Sequence, residues 1–345
     1  MKNVLRQTTI NAARVLLVMV FVLPVLACNK TDTTDAPSPS RAGASAASHG
    51  GPRAVMDDAT QQLAMKLNSY VDCFNTVDGP ARASAERYVS WIGDLDKGPT
   101  GSERSINTLG DLAPYQLEKC TTSINEALKA KPALPALDAA ATRYLETLTA
   151  LGPLVSKAHA YYSQEDYKDD GFAKAKAMHE PLMMAFGRFI KASDVYGAEV
   201  EKENDALGAA RLVDIEKTEG RHTAYYRLAL ISKGKQLATL LTAKDPDVTQ
   251  ATKAIDTYGE LVDESAKATN DEPGKPITWS IFQTQAGTFL KDCKDRMRRI
   301  RDKTPYSHGE QILMEGQSNS GWMVAGSPAR VFKAYNDLVD TSNRL

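Results

Sequence analysis

Apolar residues recur at helical spacing along most of the chain beyond about residue 60. In the first such segment, side chains three and four positions apart fall on one stripe of a helix, and the stripe continues past Gly79-Pro80. Its members are Leu63, Leu67, Tyr70, Phe74, Val77, Ala81, Ala85, Tyr88 and Ile92. The pattern predicts one long helix that is kinked, not ended, at the proline.

Similar stripes predict further helices, separated by breaks that contain proline, glycine or polar residues. We expect them at residues 114–129, 137–162, 172–190 with a solvated continuation over 199–219, 225–241, 248–269, 279–301 and 328–343. Residues 307–327 are expected to form a polar connection. Because no segment alternates like a strand, the predicted fold class is all-α, an elongated multi-helix bundle of long amphipathic antiparallel helices.

The amino-terminal segment has a different pattern. Basic residues precede a short apolar stretch at residues 15–26, and Ala27 stands directly before Cys28. This order is typical of a secretory signal, and the stretch is shorter than the roughly 20 residues that span a bilayer. A cysteine after the small residue indicates a bacterial lipobox. We therefore expect residues 1–27 to be a lipoprotein signal peptide and Cys28 to carry the lipid.

The residues that follow Cys28 bear on location. Asn29 favours transport to the outer membrane over retention in the inner membrane. Residues 28–55 are rich in Ser, Ala, Pro and Gly, which predicts a lipidated cysteine followed by a disordered tether. Residues 56–345 would then form an all-helical extracytoplasmic domain. The expected location is the periplasmic face of the outer membrane, with acyl chains supplying the membrane affinity.

The net charge limits the kinds of ligand that the protein could bind, and the cysteines limit the disulfides that it could form. The net charge of −1 excludes a generally basic surface for nucleic acid. An oxidising compartment favours pairing of the cysteines in the folded part. Three pairings of Cys73, Cys120 and Cys293 are possible, and we favour Cys73–Cys120, the nearest pair in sequence, whose loop is worth about 4 kcal/mol. If Cys293 stays free, the cations around it would lower the pKa of its thiol.

Two clusters are candidate ligand sites. His159 and His179, with carboxylates between them in sequence, could hold zinc or another divalent cation if their helices form a hairpin; structural hydrogen bonding is the favoured alternative. Arg296, Arg298, Arg299 and Arg301 could bind anionic envelope material such as lipopolysaccharide phosphates or acidic glycan. The favoured alternative is a solvated face whose charge complements the end of its helix.

The motifs that usually identify an enzyme are missing or incomplete. Ser232 and Lys235 match S-x-x-K, but the partner motifs S-D-N and K-T-G do not occur. Neither H-E-x-x-H nor G-x-S-x-G occurs. An enzymatic role is therefore uncertain, and a role without catalysis is favoured.

Several segments together resemble one bacterial family. They are Lys66-Leu67-Asn68-Ser69-Tyr70, Cys73-Phe74-Asn75, Arg87-Tyr88-Val89-Ser90-Trp91, Gly98-Pro99-Thr100-Gly101, Tyr161-Tyr162, Tyr167-Lys168-Asp169-Asp170-Gly171 and His179. This chain resembles the YiiG-like lipoproteins, a domain-of-unknown-function family, over most of residues 60–300. The resemblance implies a helical extracytoplasmic domain and carries over no catalytic residue.

These observations together favour a lipid-anchored periplasmic binding or scaffolding protein of the cell envelope. Its partner would be an envelope protein or glycan, and not nucleic acid. The alternative is a metal-binding or metal-dependent periplasmic protein that uses His159 and His179. A third hypothesis is an interaction protein exported to the cell surface.

Overall fold

The structure, a computed structural model, describes residues 57–315 and 320–345, and within them it contains helices and no strands. The helices are α1 (Asp58–Ser90), α2 (Pro114–Lys129), α3 (Pro135–Ser163), α4 (Tyr167–Asp170), α5 (Ala173–Thr218), α6 (Thr223–Thr242), α7 (Val248–Ala268), α8 (Trp279–Arg301), α9 (His308–Glu315) and α10 (Pro328–Asn343). A 3₁₀ turn, Ser320–Met323, precedes α10. The predicted fold class, an all-α multi-helix bundle, is confirmed.

Capping side chains and prolines in the first turn determine where several helices begin. The side chains of Asp57, Asp247 and Ser327 each accept a hydrogen bond from the amide three residues ahead, which satisfies an otherwise unpaired donor of the first turn. Helices α2, α3 and α10 begin with proline, which has no amide hydrogen to leave unpaired there. Prolines also lie inside α1, α3 and α5, and each of these helices continues through its proline.

The buried apolar residues form two clusters. The first core joins α1, α2, α3 and the amino-terminal part of α5, and aromatic rings fill its centre; the rings of Tyr144 and Tyr196 are 4.6 Å apart between centroids. The second core joins α6, α7, α8 and α10, with Phe289 packed between Tyr258 and Tyr335. Leu207 of α5 belongs to the first core, whereas Leu212 and Ile215 pack against the second. The 46-residue helix α5 is therefore shared by both cores.

A buried charge network fixes α5 against α1. The Nε of Arg82 donates to Asp78 over 2.9 Å, and its Nη2 donates to Asp194 over 2.7 Å and to the hydroxyl of Ser193. That hydroxyl in turn donates to Asp78. Burial raises the pKa of Asp78, and the neighbouring Arg82 charge opposes this shift. The network gives these buried polar groups partners where α1 and α5 cross.

The cysteines are paired as expected from the sequence, but the pKa of the free thiol differs from the expected one. Cys73 of α1 and Cys120 of α2 form a disulfide, with their Cα atoms 4.4 Å apart, so the favoured pairing is confirmed. Cys293 is free and buried in the second core. Its thiol pKa is raised, because burial disfavours the thiolate and the carboxylate of Asp292 adds to the effect. The expectation of a lowered pKa was wrong, because the burial of the thiol outweighs the cations that lie near it in sequence.

The carboxyl-terminal region contains helical structure that the sequence pattern did not predict. The segment expected to be a polar connection contains α9 and the 3₁₀ turn, so that prediction was wrong for residues 308–315 and 320–323. Among the described residues, no helix is both long enough and apolar enough to cross a membrane. The predicted signal peptide, Cys28 and tether lie outside the described residues.

One buried lysine holds the connection between α2 and α3. The Nζ of Lys66 donates to the carbonyls of Ala130 (3.2 Å) and Pro132 (2.9 Å) and pairs with the carboxylate of Asp138 at 2.9 Å. The hydroxyl of Tyr70 donates to the same carboxylate over 2.6 Å. Burial alone would raise the pKa of Asp138, but the hydrogen bonds from Tyr70 and Lys66 lower it below its ordinary value of 3.8.

We expect Asp138→Asn to lower the free energy of unfolding by about 3 kcal/mol at neutral pH, because the Lys66 ammonium would stay buried with neutral acceptors only. In the wild type, the pKa of Asp138 is lower in the folded state than its ordinary value of 3.8. The stabilisation that this difference provides is complete above pH 3.8 and is lost as the pH falls through the lower, folded-state pKa. Urea denaturation from neutral pH to about pH 3 should therefore show a steeper acid loss in the wild type than in the variant.

The matched control is Glu146→Gln on the same helix, which removes an exposed pair with Arg143. It should cost less than about 1 kcal/mol. Equal stabilities of the two variants would contradict the role assigned to Lys66.

Candidate functional site

A groove with a volume of about 700 Å³ lies between α3 and α5. Its α3 wall runs from Ala140 to Leu154 and its α5 wall from Pro181 to Val195. At 1.5 Å per residue each wall is about 20 Å long. The lining residues are Ala140, Arg143, Glu146, Thr147, Ala150, Leu154, Pro181, Met184, Ala185, Arg188, Lys191, Ala192 and Val195. We call this surface the α3–α5 groove.

The α3–α5 groove combines apolar surface with positive charge. The large apolar side chains of Met184 and Val195 are 38% and 58% exposed, and both line the same groove. Arg143 pairs with Glu146 at 3.2 Å. Arg188 and Lys191 lie one turn apart on the α5 wall, and neither forms an ion pair with a carboxylate in the described part of the chain. The lining of the groove is therefore largely apolar and includes two cations of α5 that form no ion pair within the described residues.

His179 of α5 lies in the first core, where both ring nitrogens have partners. Its Nδ1 lies 2.8 Å from the hydroxyl of Tyr88, and its Nε2 lies 2.9 Å from the carbonyl of Leu95. Gly98 packs directly on the imidazole: a Cβ atom at this glycine, whose φ is +72°, would lie 2.7 Å from the ring. The residue thus holds the connection between α1 and α2 against α5.

His159 of α3 holds another part of the same connection. Its Nδ1 lies 2.7 Å from the carbonyl of Leu109, and its Nε2 lies 3.4 Å from the hydroxyl of Ser163. Among residues 57–315 and 320–345 no three His, Cys, Asp or Glu side chains are grouped so that they could hold a metal ion. The geometry gives both histidines structural hydrogen bonds, and the metal hypothesis has no third ligand in the described residues.

The arginines predicted as an anion site already have partners within the protein. Arg296 donates to the carbonyls of Leu241 and Gly326 and to the hydroxyl of Tyr306. Arg298 pairs with Asp295 at 2.7 Å.

The other two arginines are engaged in the same way. Arg299 pairs with Glu310 at 2.8 Å and lies over the ring of Tyr306, while Arg301 pairs with Asp302 at 2.7 Å. Arg296 and Arg299 therefore hold the segment after α8, whereas Arg298 and Arg301 pair with carboxylates on or next to their own helix.

The residues of the α3–α5 groove were missed at the sequence level. Met184, Arg188, Lys191 and Val195 recur at steps of four, three and four, which is a second, exposed stripe on α5. This stripe was the available signal. It went unnoticed because the stronger apolar stripe on the same helix fills the first core.

Comparisons with known proteins identify a family and one relative, both without a described activity. The family described as "Protein of unknown function (DUF3829)" matches residues 61–344. A relative named "Uncharacterized protein YiiG", from Escherichia coli (strain K12), is 33% identical over 280 residues, which cover 81% of this chain and 78% of the relative. No solved structure matches the chain.

The contacts of His179 generate a prediction. We expect His179→Ala to lower the free energy of unfolding by about 2–3 kcal/mol, because it leaves the hydroxyl of Tyr88 and the carbonyl of Leu95 without their partner. His159→Ala, with one short contact, should cost about 1 kcal/mol. Exposed His308 supplies the control, with an expected change within about 0.5 kcal/mol. Urea denaturation checks all three values.

The same variants test the metal hypothesis. If the histidines are structural, an equimolar addition of zinc should leave the thermal midpoint of the wild type unchanged. A zinc-dependent rise in the wild type that is abolished in both His159→Ala and His179→Ala would instead establish a metal site.

Proposed function

This chain belongs to the DUF3829 family of proteins of unknown function, and we propose that it is a lipid-anchored binding protein of the bacterial cell envelope. Its anchor is a lipid on Cys28, and its binding surface is the α3–α5 groove. The occupant of the groove is an amphipathic helix of a partner protein that carries acidic residues beside its apolar face. The observation that carries this proposal is the groove itself, whose largely apolar lining includes the unpaired cations Arg188 and Lys191.

Three features of the sequence and one of the fold support an extracytoplasmic, anchored protein. The amino-terminal residues have the order of a lipoprotein signal, Cys28 follows Ala27, and Asn29 favours the outer membrane. In the folded part, Cys73 and Cys120 form a disulfide. Structural disulfides persist in oxidising compartments such as the periplasm, so this bond is in keeping with export.

The dimensions of the groove favour a helix as its occupant. A groove about 20 Å long accommodates about 14 residues of helix at 1.5 Å per residue. Peptide recognition in such grooves places apolar residues of one helical face against the groove surface. Met184 and Val195, which the protein leaves exposed, would contact that face.

The positive charge in the lining of the groove sets the expected chemistry of the partner. Arg188 and Lys191 have no ion-pair partner in the described chain and lie directly beside the apolar surface. Carboxylates flanking the apolar face of a bound helix would pair with them. Charged groups at the rim of an interface chiefly determine partner choice and association rate, so these two residues would select an acidic partner.

The anchor generates one prediction. Cys28→Ser should abolish incorporation of radiolabelled palmitate and release the protein from the membrane fraction, because no lipid can be attached. Cys293→Ser, which alters a buried cysteine of the second core, is the control and should remain in the membrane fraction. Asn29→Asp should move the protein toward the inner membrane on a density gradient. A wild-type protein without lipid label would contradict the anchor.

The groove generates the next prediction. A photo-crosslinker placed at Val195 in the full chain should give a discrete protein adduct in intact envelopes, whereas one at Tyr115, which is 70% exposed on α2, should not. The double change Arg188→Glu and Lys191→Glu should abolish the adduct by reversing the charge at the rim. Mass spectrometry should locate the crosslink in an acidic amphipathic helix of the partner.

Three outcomes would overturn the role of the groove. The first is the same adduct at Val195 and Tyr115. The second is an adduct that persists after the charge reversal. The third is an adduct to lipid or glycan, which would assign the groove to a small amphiphile.

A further inference from the structure

Helix α5 carries a polar stripe at the point where it leaves the first core and enters the second. Asn204, Gly208 and Arg211 lie four and then three residues apart, so they share one face of the helix. Across the α5–α6 hairpin, Arg227 of α6 lies close enough for the charge of Arg211 to lower its pKa. This stripe lies well along α5 from the α3–α5 groove, whose α5 wall ends at Val195.

Arg211 and Arg227 form a pair of like charges that nothing in the described chain neutralises. Both side chains are half-buried. Arg227 donates through Nε to the hydroxyl of Ser342 over 2.8 Å, and neither guanidinium pairs with a carboxylate of residues 57–315 or 320–345. Burial lowers the pKa of Arg211, and burial followed by the charge of Arg211 lowers the pKa of Arg227. Both cations are thus partly desolvated, and neither has an ion-pair partner among the described residues.

Two neighbouring features complete a cradle of hydrogen-bond donors. The Nδ2 atom of Asn204 is buried and has no hydrogen-bond partner among the residues that the structure describes. Gly208 is buried as well, yet a Cβ atom built on it would meet no atom within 4 Å. An open space therefore lies on the same helical face as an unpaired amide donor and an unpaired guanidinium. Native proteins satisfy nearly all buried donors, so this combination points to a missing acceptor.

We propose that Asn204, Gly208, Arg211 and Arg227 form a binding site for a phosphate group. Guanidinium groups donate pairs of parallel hydrogen bonds that match the oxygens of phosphate, and they are desolvated more readily than ammonium groups. A phosphate dianion neutralises two cations at once, and its remaining oxygens accept from the amide of Asn204. The missing side chain at Gly208 leaves room for the anion close to the helix. This inference is independent of the α3–α5 groove.

The test is isothermal titration calorimetry of the full chain, purified in detergent, with inorganic phosphate at constant ionic strength. The wild type should bind saturably, and Arg211→Met should weaken binding about tenfold or more, because it removes a charge-assisted pair of hydrogen bonds. Arg104→Gln, which removes an exposed arginine elsewhere, should bind like the wild type.

Two stability measurements keep the proposal distinct from a structural role of the arginines. Without phosphate, Arg211→Met should be no less stable than the wild type, because it removes a like-charge repulsion. Gly208→Ala should be equally stable or more stable, since alanine favours helix over glycine, and should still lose phosphate binding because its methyl group occupies the cradle. Added phosphate should raise the thermal midpoint of the wild type and leave that of both variants unchanged.

A second titrant distinguishes the source of the phosphate. Glycerophosphoglycerol is the head group of a phospholipid without its acyl chains. Tighter binding of this diester than of inorganic phosphate would assign the site to a lipid head group, and the reverse order would assign it to the free anion. Absence of saturable binding for both titrants would overturn the proposal, and so would binding that Arg211→Met and Gly208→Ala leave unchanged.

Discussion

The continuity of helix α5 is the constraint on which the rest of the structure depends. This 46-residue helix supplies aromatic residues to the first core and apolar residues to the second, and it passes through Pro181 without ending. The network of Asp78, Arg82, Ser193 and Asp194 fixes its position against α1. Because a helix holds its side chains at a fixed pitch, residues far apart on α5 keep their relative positions, and both proposed sites take their framework from it.

Much of the fold could be predicted from the sequence, because a helix with one buried face has apolar residues at intervals of three and four positions. The bounds of α2, α8 and α10 follow directly from apolar spacing and from proline at the first turn. The pairing of Cys73 with Cys120 followed from their separation along the chain. The helix at 308–315 was missed because it is short and most of its residues are exposed, so no buried stripe marks it.

The candidate sites were harder to predict, because the density of charge along a chain does not show which charges are already paired. Arg298 and Arg301 are conspicuous in the sequence, yet each has a carboxylate within three positions that neutralises it. Arg211 and Arg227 are sixteen residues apart and look ordinary in the sequence. The α5–α6 hairpin brings them within electrostatic reach of each other, and neither forms an ion pair with a carboxylate of the described residues.

The cations that are withdrawn from water in this protein differ in whether the described chain supplies acceptors for them. Lys66 is almost fully buried, but two carbonyls and the carboxylate of Asp138 surround its ammonium group, so its desolvation is offset in the folded chain. Arg82 is satisfied in the same way by two carboxylates and a hydroxyl. Arg211 receives no such compensation, although it is also withdrawn from water. The fold thus provides acceptors for Lys66 and Arg82 but no ion-pair partner among the described residues for Arg211 and Arg227. The donors of a binding site are therefore already in place. An incoming phosphate would bind to both guanidinium groups without the free-energy cost of bringing them together.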